Sequence, residues 1–226
     1  MPNFNVGFVI FPDLTQLDFT GPLQILARLP QSTTCIVAKS VAPVPSDCGL
    51  GLVPTHTFAN CPPLDLICVP GGVNGVVAAI GDRETVEFVR RQAGRAKYVT
   101  SVCTGAFVLG IAGLLKGRRA TTHWAYTDLL SLVGATYEKA RVVKDGNVIT
   151  AGGVTSGIDF GLSVVAEIAG ETTARSIQLG VEYDPAPPYD SGHPDRAPAA
   201  AKSALSARYE KARSALCAGI EQAAMS

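Results

Sequence analysis

Apolar and polar residues follow two rhythms along this chain. Short runs that are apolar throughout, such as Val6-Gly7-Phe8-Val9-Ile10-Phe11 and Leu66-Ile67-Cys68-Val69, alternate with longer stretches of helical spacing. Runs of that length with no polar face read as strands covered on both sides. The pattern predicts strands over 5–11, 33–40, 64–70 and 98–102, and a further short strand over 120–123. Helices are predicted over 16–29, over 82–96 with Asp82 as N-cap, from 104 onward, and over 124–133, 156–169 and 171–183. The Asp145-Gly146 pair marks a hairpin within 141–151, and 49–57 also has hairpin character.

Buried strands separated by helices imply an α/β fold with a mostly parallel sheet sandwiched by helices. Such sheets place their sites at the carboxyl ends of the strands. Asp18, Gly71-Gly72, Cys103-Thr104, His123 and Gly152-Gly153 occupy those positions. The rhythm changes after Tyr183. Five prolines fall within 184–198, which predicts an extended arm, and 202–225 returns to helix-forming residues. A lone helix is marginal without a surface to pack on. The expected organisation is an α/β domain over 1–184 and an arm with a C-terminal helix over 185–226, packed on that domain or on a dimer partner.

Composition narrows the function classes. The 226 residues are 47% hydrophobic and 17% charged, enough for a substantial core. Nineteen basic residues balance nineteen acidic ones, so no nucleic-acid surface is expected. No apolar run reaches the ~18 residues of a membrane span. No basic region precedes the first apolar run, which makes the cytoplasm the expected compartment. Of the six cysteines, Cys35 and Cys68 lie in strand-like runs, and Cys48, Cys61 and Cys217 lie in a turn, a Pro-flanked loop and the last helix. With no Cys-x-x-Cys pair and three scattered histidines, reduced thiols are expected and a metal site is not.

The remaining cysteine, Cys103, follows Tyr98-Val99-Thr100-Ser101-Val102 and precedes the small-residue stretch Thr104-Gly105-Ala106. A strand-to-helix turn at that point would be a nucleophile elbow. Helix-terminal N–H groups there favour a thiolate, the reactive form. A buried core cysteine fits the segment as well. Asp18, among the apolar residues of Leu17-Asp18-Phe19, needs either a partner or a function, because burying a bare carboxylate is costly. It reads as a capping or salt-bridged residue, or as a carboxyl that shares protons with Cys103. Gly71-Gly72 is a plain turn or a place where backbone amides meet a ligand. Thr104 offers an N–H and a hydroxyl, or simply caps a helix. His123 suits orienting or packing better than general-base chemistry. Gly152-Gly153-Val154-Thr155-Ser156-Gly157 lacks the lysine of a phosphate loop, which argues against nucleotide binding.

These segments carry a resemblance. Pro70-Gly71-Gly72, Ser101-Val102-Cys103-Thr104-Gly105-Ala106, Gly113-Leu114-Leu115 and Arg119-Ala120-Thr121-Thr122-His123-Trp124 resemble the ThiJ/PfpI superfamily, whose fold is flavodoxin-like and class I glutamine amidotransferase-like. Leu17-Asp18-Phe19-Thr20-Gly21-Pro22, Gly152 through Asp159 and Glu182-Tyr183-Asp184-Pro185 are similar to its isocyanide hydratase branch. The resemblance implies hydration of an isocyanide to an N-substituted formamide by a homodimer without metal or other cofactor. Cys103 would be the nucleophile, Asp18 the proton carrier and Thr104 a hydrogen-bonding residue. Gly71, Gly72, Trp124, Gly153 and Val154 would bound the substrate. A cysteine-based redox or ligand sensor, or an amidase or glyoxalase-type enzyme, are the alternatives on the same fold. Thr104 replaces the histidine that follows the cysteine in protease-like members. The same motifs occur in AraC-type regulators, but no helix-turn-helix module follows Tyr183 here.

Overall fold

The computed structural model describes residues 3–224. Its central sheet contains β1 (Phe4–Val9), β2 (Ser32–Ala38), β5 (His56–Thr57), β6 (Leu66–Val69), β7 (Tyr98–Val102), β10 (Val142–Asp145) and β11 (Val148–Ala151). The strand order is β10-β11-β7-β6-β1-β2-β5. All neighbours are parallel except the β10–β11 hairpin. β6 and β7 run in register with Val69 opposite Ser101, and β11 brings Ala151 opposite Val102. The chain after β6, β7 and β11 therefore leaves the sheet along one edge, where Gly71, Cys103 and Gly153 fall close together.

Helices cover both faces. On one, α1 (Gln16–Leu26), α5 (Ser156–Ala169) and α6 (Glu171–Gly180) pack together. On the other lie α2 (Val73–Gly81), α3 (Arg83–Ala93), α4 (Gly105–Ile111) and α7 (Ala199–Ala224). Residues without side chains set the α1–α5 separation. A Cβ on Gly157 would lie 2.8 Å from Pro22, and one on Gly161 would lie 2.9 Å from Ile25. That close approach holds the first turn of α1 against the sheet edge. Asp82 caps α3 as expected, accepting from the Thr85 N–H at 3.1 Å.

Several elements differ from the sequence pattern. α2 had no counterpart in it, although Val73, Val76, Val77 and Ile80 have helical spacing. Gly71, Gly72, Gly75 and Gly81 mask that signal. The strand expected over 120–123 shrinks to β8 (Arg119–Ala120), which pairs with β9 (Thr136–Tyr137) outside the main sheet. Beyond it the Thr121 N–H bonds the Thr150 hydroxyl oxygen at 2.8 Å, so the ladder stops. The 49–57 region splits: β4 (Gly51–Leu52) forms a hairpin with β3 (Val44–Pro45), while β5 joins the sheet beside β2. Residues Trp124–Val133 wind as 3₁₀ turns rather than an α-helix.

Residues 184–198 contain no regular element. α7 begins earlier than its composition suggested, and the expected end at Met225 lies outside the described residues. It packs on α2, α4 and the 3₁₀ segment of the same chain, with Leu216 and Ile220 fully buried. An Arg213 fork to Asp128 (2.8 and 2.5 Å) fixes its middle. No helix among the described residues is long and apolar enough to cross a membrane.

Candidate active site

β7 ends at Val102, and the chain turns so sharply that Cys103 takes a φ of 57°. A non-glycine residue seldom occupies this left-handed region, and when it does the surroundings must enforce it. Here the Cys103 N–H is shared between the carbonyls of Ala151 (3.0 Å) and Gly152 (2.9 Å). The Cys103 carbonyl accepts from the Thr122 hydroxyl at 2.7 Å. Both polar groups of the elbow residue are thus fixed, and its side chain is directed off the strand end. The residue as a whole is only 6% exposed. Gly105 opens α4 beneath it; a Cβ there would lie 2.2 Å from the Val69 carbonyl, so the helix can follow this closely only with glycine.

Asp18 reaches the same point from the first turn of α1. It is fully buried. A reciprocal pair of bonds ties that turn to the β6 end: Thr15 N–H donates to the Gly71 carbonyl at 2.9 Å, and Gly71 N–H donates to Asp18 Oδ2 at 3.0 Å. A Cβ on Gly71 would stand 2.7 Å from Asp18 Oδ2, 2.7 Å from Thr104 N and 2.8 Å from Cys103 Cβ. Gly71 therefore lies between the carboxyl and the elbow and lets them meet. The Gly72 N–H donates to Thr104 Oγ1 at 3.1 Å. The sequence leaves Gly71-Gly72 as a plain turn or as donors for a ligand; the two amides are committed to Asp18 and Thr104.

Burial drives the proton affinities. It raises Asp18 to about 7, against smaller lowering effects from the Cys103 side chain and the Gly71 N–H. Burial and the neighbouring Asp18 also raise the Cys103 thiol, while the backbone N–H groups of Val154 and Thr104 at the sulfur oppose this. A thiolate stabilised by helix amides alone does not describe the site. Two acids in contact resist a second negative charge, so they titrate as a pair. With one proton between them, Asp18 holds it whenever the two amides keep the charge on Sγ. Asp18 Oδ1 has no hydrogen-bond partner among the described residues.

The DJ-1/PfpI family model matches residues 5–167, well over half of the sequence. The chain belongs to the DJ-1/PfpI family. It is 56% identical over 195 residues to an isonitrile hydratase of Pseudomonas putida, covering 86% of this chain and 85% of that protein. A crystal structure of a ThiJ/PfpI family protein from Pseudomonas syringae superposes with a TM-score of 0.95 at 44% identity, covering 97% of this chain and 91% of the other. A DJ-1 superfamily structure from Salmonella typhimurium gives 0.71 at 29% identity, covering 81% of this chain and all of the other.

In this DJ-1/PfpI member the sequence-derived residues separate into two groups. Cys103, Asp18, Thr104, Gly71 and Gly72 converge at the elbow through the contacts above. Trp124, Gly153 and Val154 instead line an adjoining cleft of about 540 Å³. Val154 belongs to both, since its N–H addresses Sγ, and its φ of 29° is strained for a β-branched residue. His123 packs against Gly153, where a Cβ would lie 2.5 Å from the ring. Its Nδ1 accepts from the Ala125 N–H at 3.3 Å, and burial lowers its pKa to about 4. His123 is therefore neutral at physiological pH but only weakly basic, which fits an orienting or packing role better than a general base.

Two contributions escaped the sequence reading. The Thr122 hydroxyl secures the elbow carbonyl, and the Val154 amide, rather than its apolar side chain alone, serves the sulfur. The Thr-Thr-His-Trp run drew attention to His123, but nothing in it signalled which threonine would reach back to Cys103.

Proposed function

We infer that the protein hydrates organic isocyanides to N-substituted formamides, with Cys103 as nucleophile and Asp18 as proton carrier. The buried Cys103–Asp18 pair carries this reading. The terminal carbon of an isocyanide is open to attack by a thiolate and must also gain a proton. Sulfur forms the S–C bond while Asp18 gives its proton to that carbon, producing a thioimidate. The carboxylate left behind takes a proton from water, whose oxygen adds to the same carbon. Nitrogen receives that proton from Asp18. The tetrahedral adduct then expels sulfur, the hydroxyl proton returns to the Cys103–Asp18 pair, and the formamide leaves. One isocyanide and one water are consumed, and the pair ends as it began.

Thr104 supports the sequence from beside the sulfur. Its oxygen accepts the Gly72 N–H, which leaves its own proton to donate to the water or to the nitrogen end. The amides of Thr104 and Val154 offset charge when sulfur carries it. No step needs a metal or other cofactor. We place the protein in the cytoplasm as a homodimer; six free cysteines fit a reducing compartment. Sedimentation velocity checks the assembly, with a monomer as the contrary result.

Incubation with several alkyl and aryl isocyanides, followed by NMR for the formamide proton, tests the activity. Formamide from none of them would overturn the reading. Cys103→Ala is expected to abolish turnover while leaving the fold intact, and activity retained in that variant excludes the thioimidate route.

A further inference from the structure

The match to the family ends at residue 167, and the Salmonella structure is covered in full by 81% of this chain. The C-terminal arm and α7 lie beyond that family match, and they come back over the site. Gly153, Val154 and Trp124 line the 540 Å³ cleft together with His193, Pro194 and Arg196 of the arm. Val154 supplies the amide that addresses Sγ, so the cleft begins one residue from the reacting sulfur.

The arm is held in place at several points. Lys139 pairs with Asp195, and Arg196 pairs with Asp190 at 2.5 Å. His193 Nδ1 accepts from the Asp195 N–H at 3.2 Å. At the base, Tyr183 donates to Asp159 at 3.0 Å, and Asp159 in turn pairs with Arg141. Tyr209 of α7 stands edge-on to His123 and Trp124, with ring centroids 5.6 and 6.0 Å apart. The three cations lining the cleft, Lys139, Arg141 and Arg196, are each matched by a carboxylate. The walls thus reward an uncharged group, with Trp124 and His193 offering flat rings and Pro194 an apolar one.

Resting on the isocyanide reading above, we propose that the arm is the specificity wall of the site. His193 and Pro194, which line the cleft with Trp124, select isocyanides with a bulky, uncharged aromatic N-substituent, which lies in the cleft while the terminal carbon meets Cys103.

The test compares kcat/KM for 2-naphthyl isocyanide with that for methyl isocyanide in the full-length protein. His193→Ala removes one ring. Asp195→Asn weakens the arm's ion pair with Lys139 while leaving every cleft-lining ring in the chain. Asp195 is exposed and His193 half-buried in an arm without regular structure, so neither change threatens folding. Each is expected to lower the naphthyl-to-methyl ratio by about tenfold, the scale on which a lost apolar contact discriminates substrates. A ratio within about twofold of the wild type in both variants overturns the proposal. Wild-type protein inactive toward both compounds refutes the isocyanide reading itself, a result distinct from an active enzyme whose ratio does not move.

Discussion

Replacing Asp18 with asparagine separates what the site does for chemistry from what it does to stability. In the unfolded chain this carboxyl has its ordinary pKa near 3.8, and in the native protein burial raises it to about 7. Each pH unit between those values is worth about 1.4 kcal/mol, so an ionisable group here withholds at most roughly 4 kcal/mol from folding at neutral pH. The sign follows from which state loses its proton first. Below about pH 4 both states are protonated, and the group contributes nothing adverse. As pH rises, the unfolded state ionises while the native state does not, and stability declines until the native group also ionises near 7. The substituted amide side chain keeps an oxygen for the Gly71 N–H and presents its NH₂ toward Sγ, but it never ionises. Urea denaturation is expected to find Asp18→Asn more stable than the wild type by about 1–4 kcal/mol at pH 8. The difference should shrink to nothing near pH 4, and the variant should have lost nearly all turnover. A stability difference that does not change with pH would refute the reasoning, as would a variant that retains full activity.

Other consequences follow from the same geometry. Gly71→Ala forces a methyl group to within 2.8 Å of Asp18, Thr104 and Cys103, so it should cost about 1–3 kcal/mol in thermal denaturation and remove activity; unchanged activity would contradict the close approach. Thr104→Val strands the buried Gly72 N–H and should destabilise by about 1–3 kcal/mol, whereas Thr104→Ser should restore both stability and turnover. For His123 the sign is opposite to that of Asp18. The unfolded ring takes a proton near 6.5 but the native ring only near 4, so its neutral form supports folding above about 6.5, and that support is lost as pH falls toward 4. An NMR titration of the ring should show a midpoint below 5, and a midpoint above 6 would contradict its burial.

The strand ends were legible in the sequence because a parallel sheet buries its strands on both faces and leaves continuous apolar runs. β7 matches its predicted bounds, and α5 does so as well. Elements held by contacts rather than by pattern were not legible. α2 hides among glycines, and β8 stops where a side chain of β11 captures the next backbone N–H. The site divides along the same line. Cys103 and Asp18 stand out because each residue type is unusual in its setting: a thiol between strand and helix, and an acid among Leu17 and Phe19. The duties of Thr122 and of the Val154 amide depend on long-range closure, which brings residues 19 and 51 positions from Cys103 onto it.

The stability lost at Asp18 and the chemistry proposed for it have one origin. A surface carboxyl is ionised at neutral pH and has no proton to give to carbon; a carboxyl buried beyond recovery never releases one to take from water in return. A group held near 7 exchanges its proton in both directions with little change in free energy. The Gly71 N–H holds Oδ2, and the carboxyl's other side-chain interaction is with Cys103 itself. The proton that burial keeps on this carboxyl therefore lies beside the sulfur that would form the bond to carbon, where a single group can give it up and take it back.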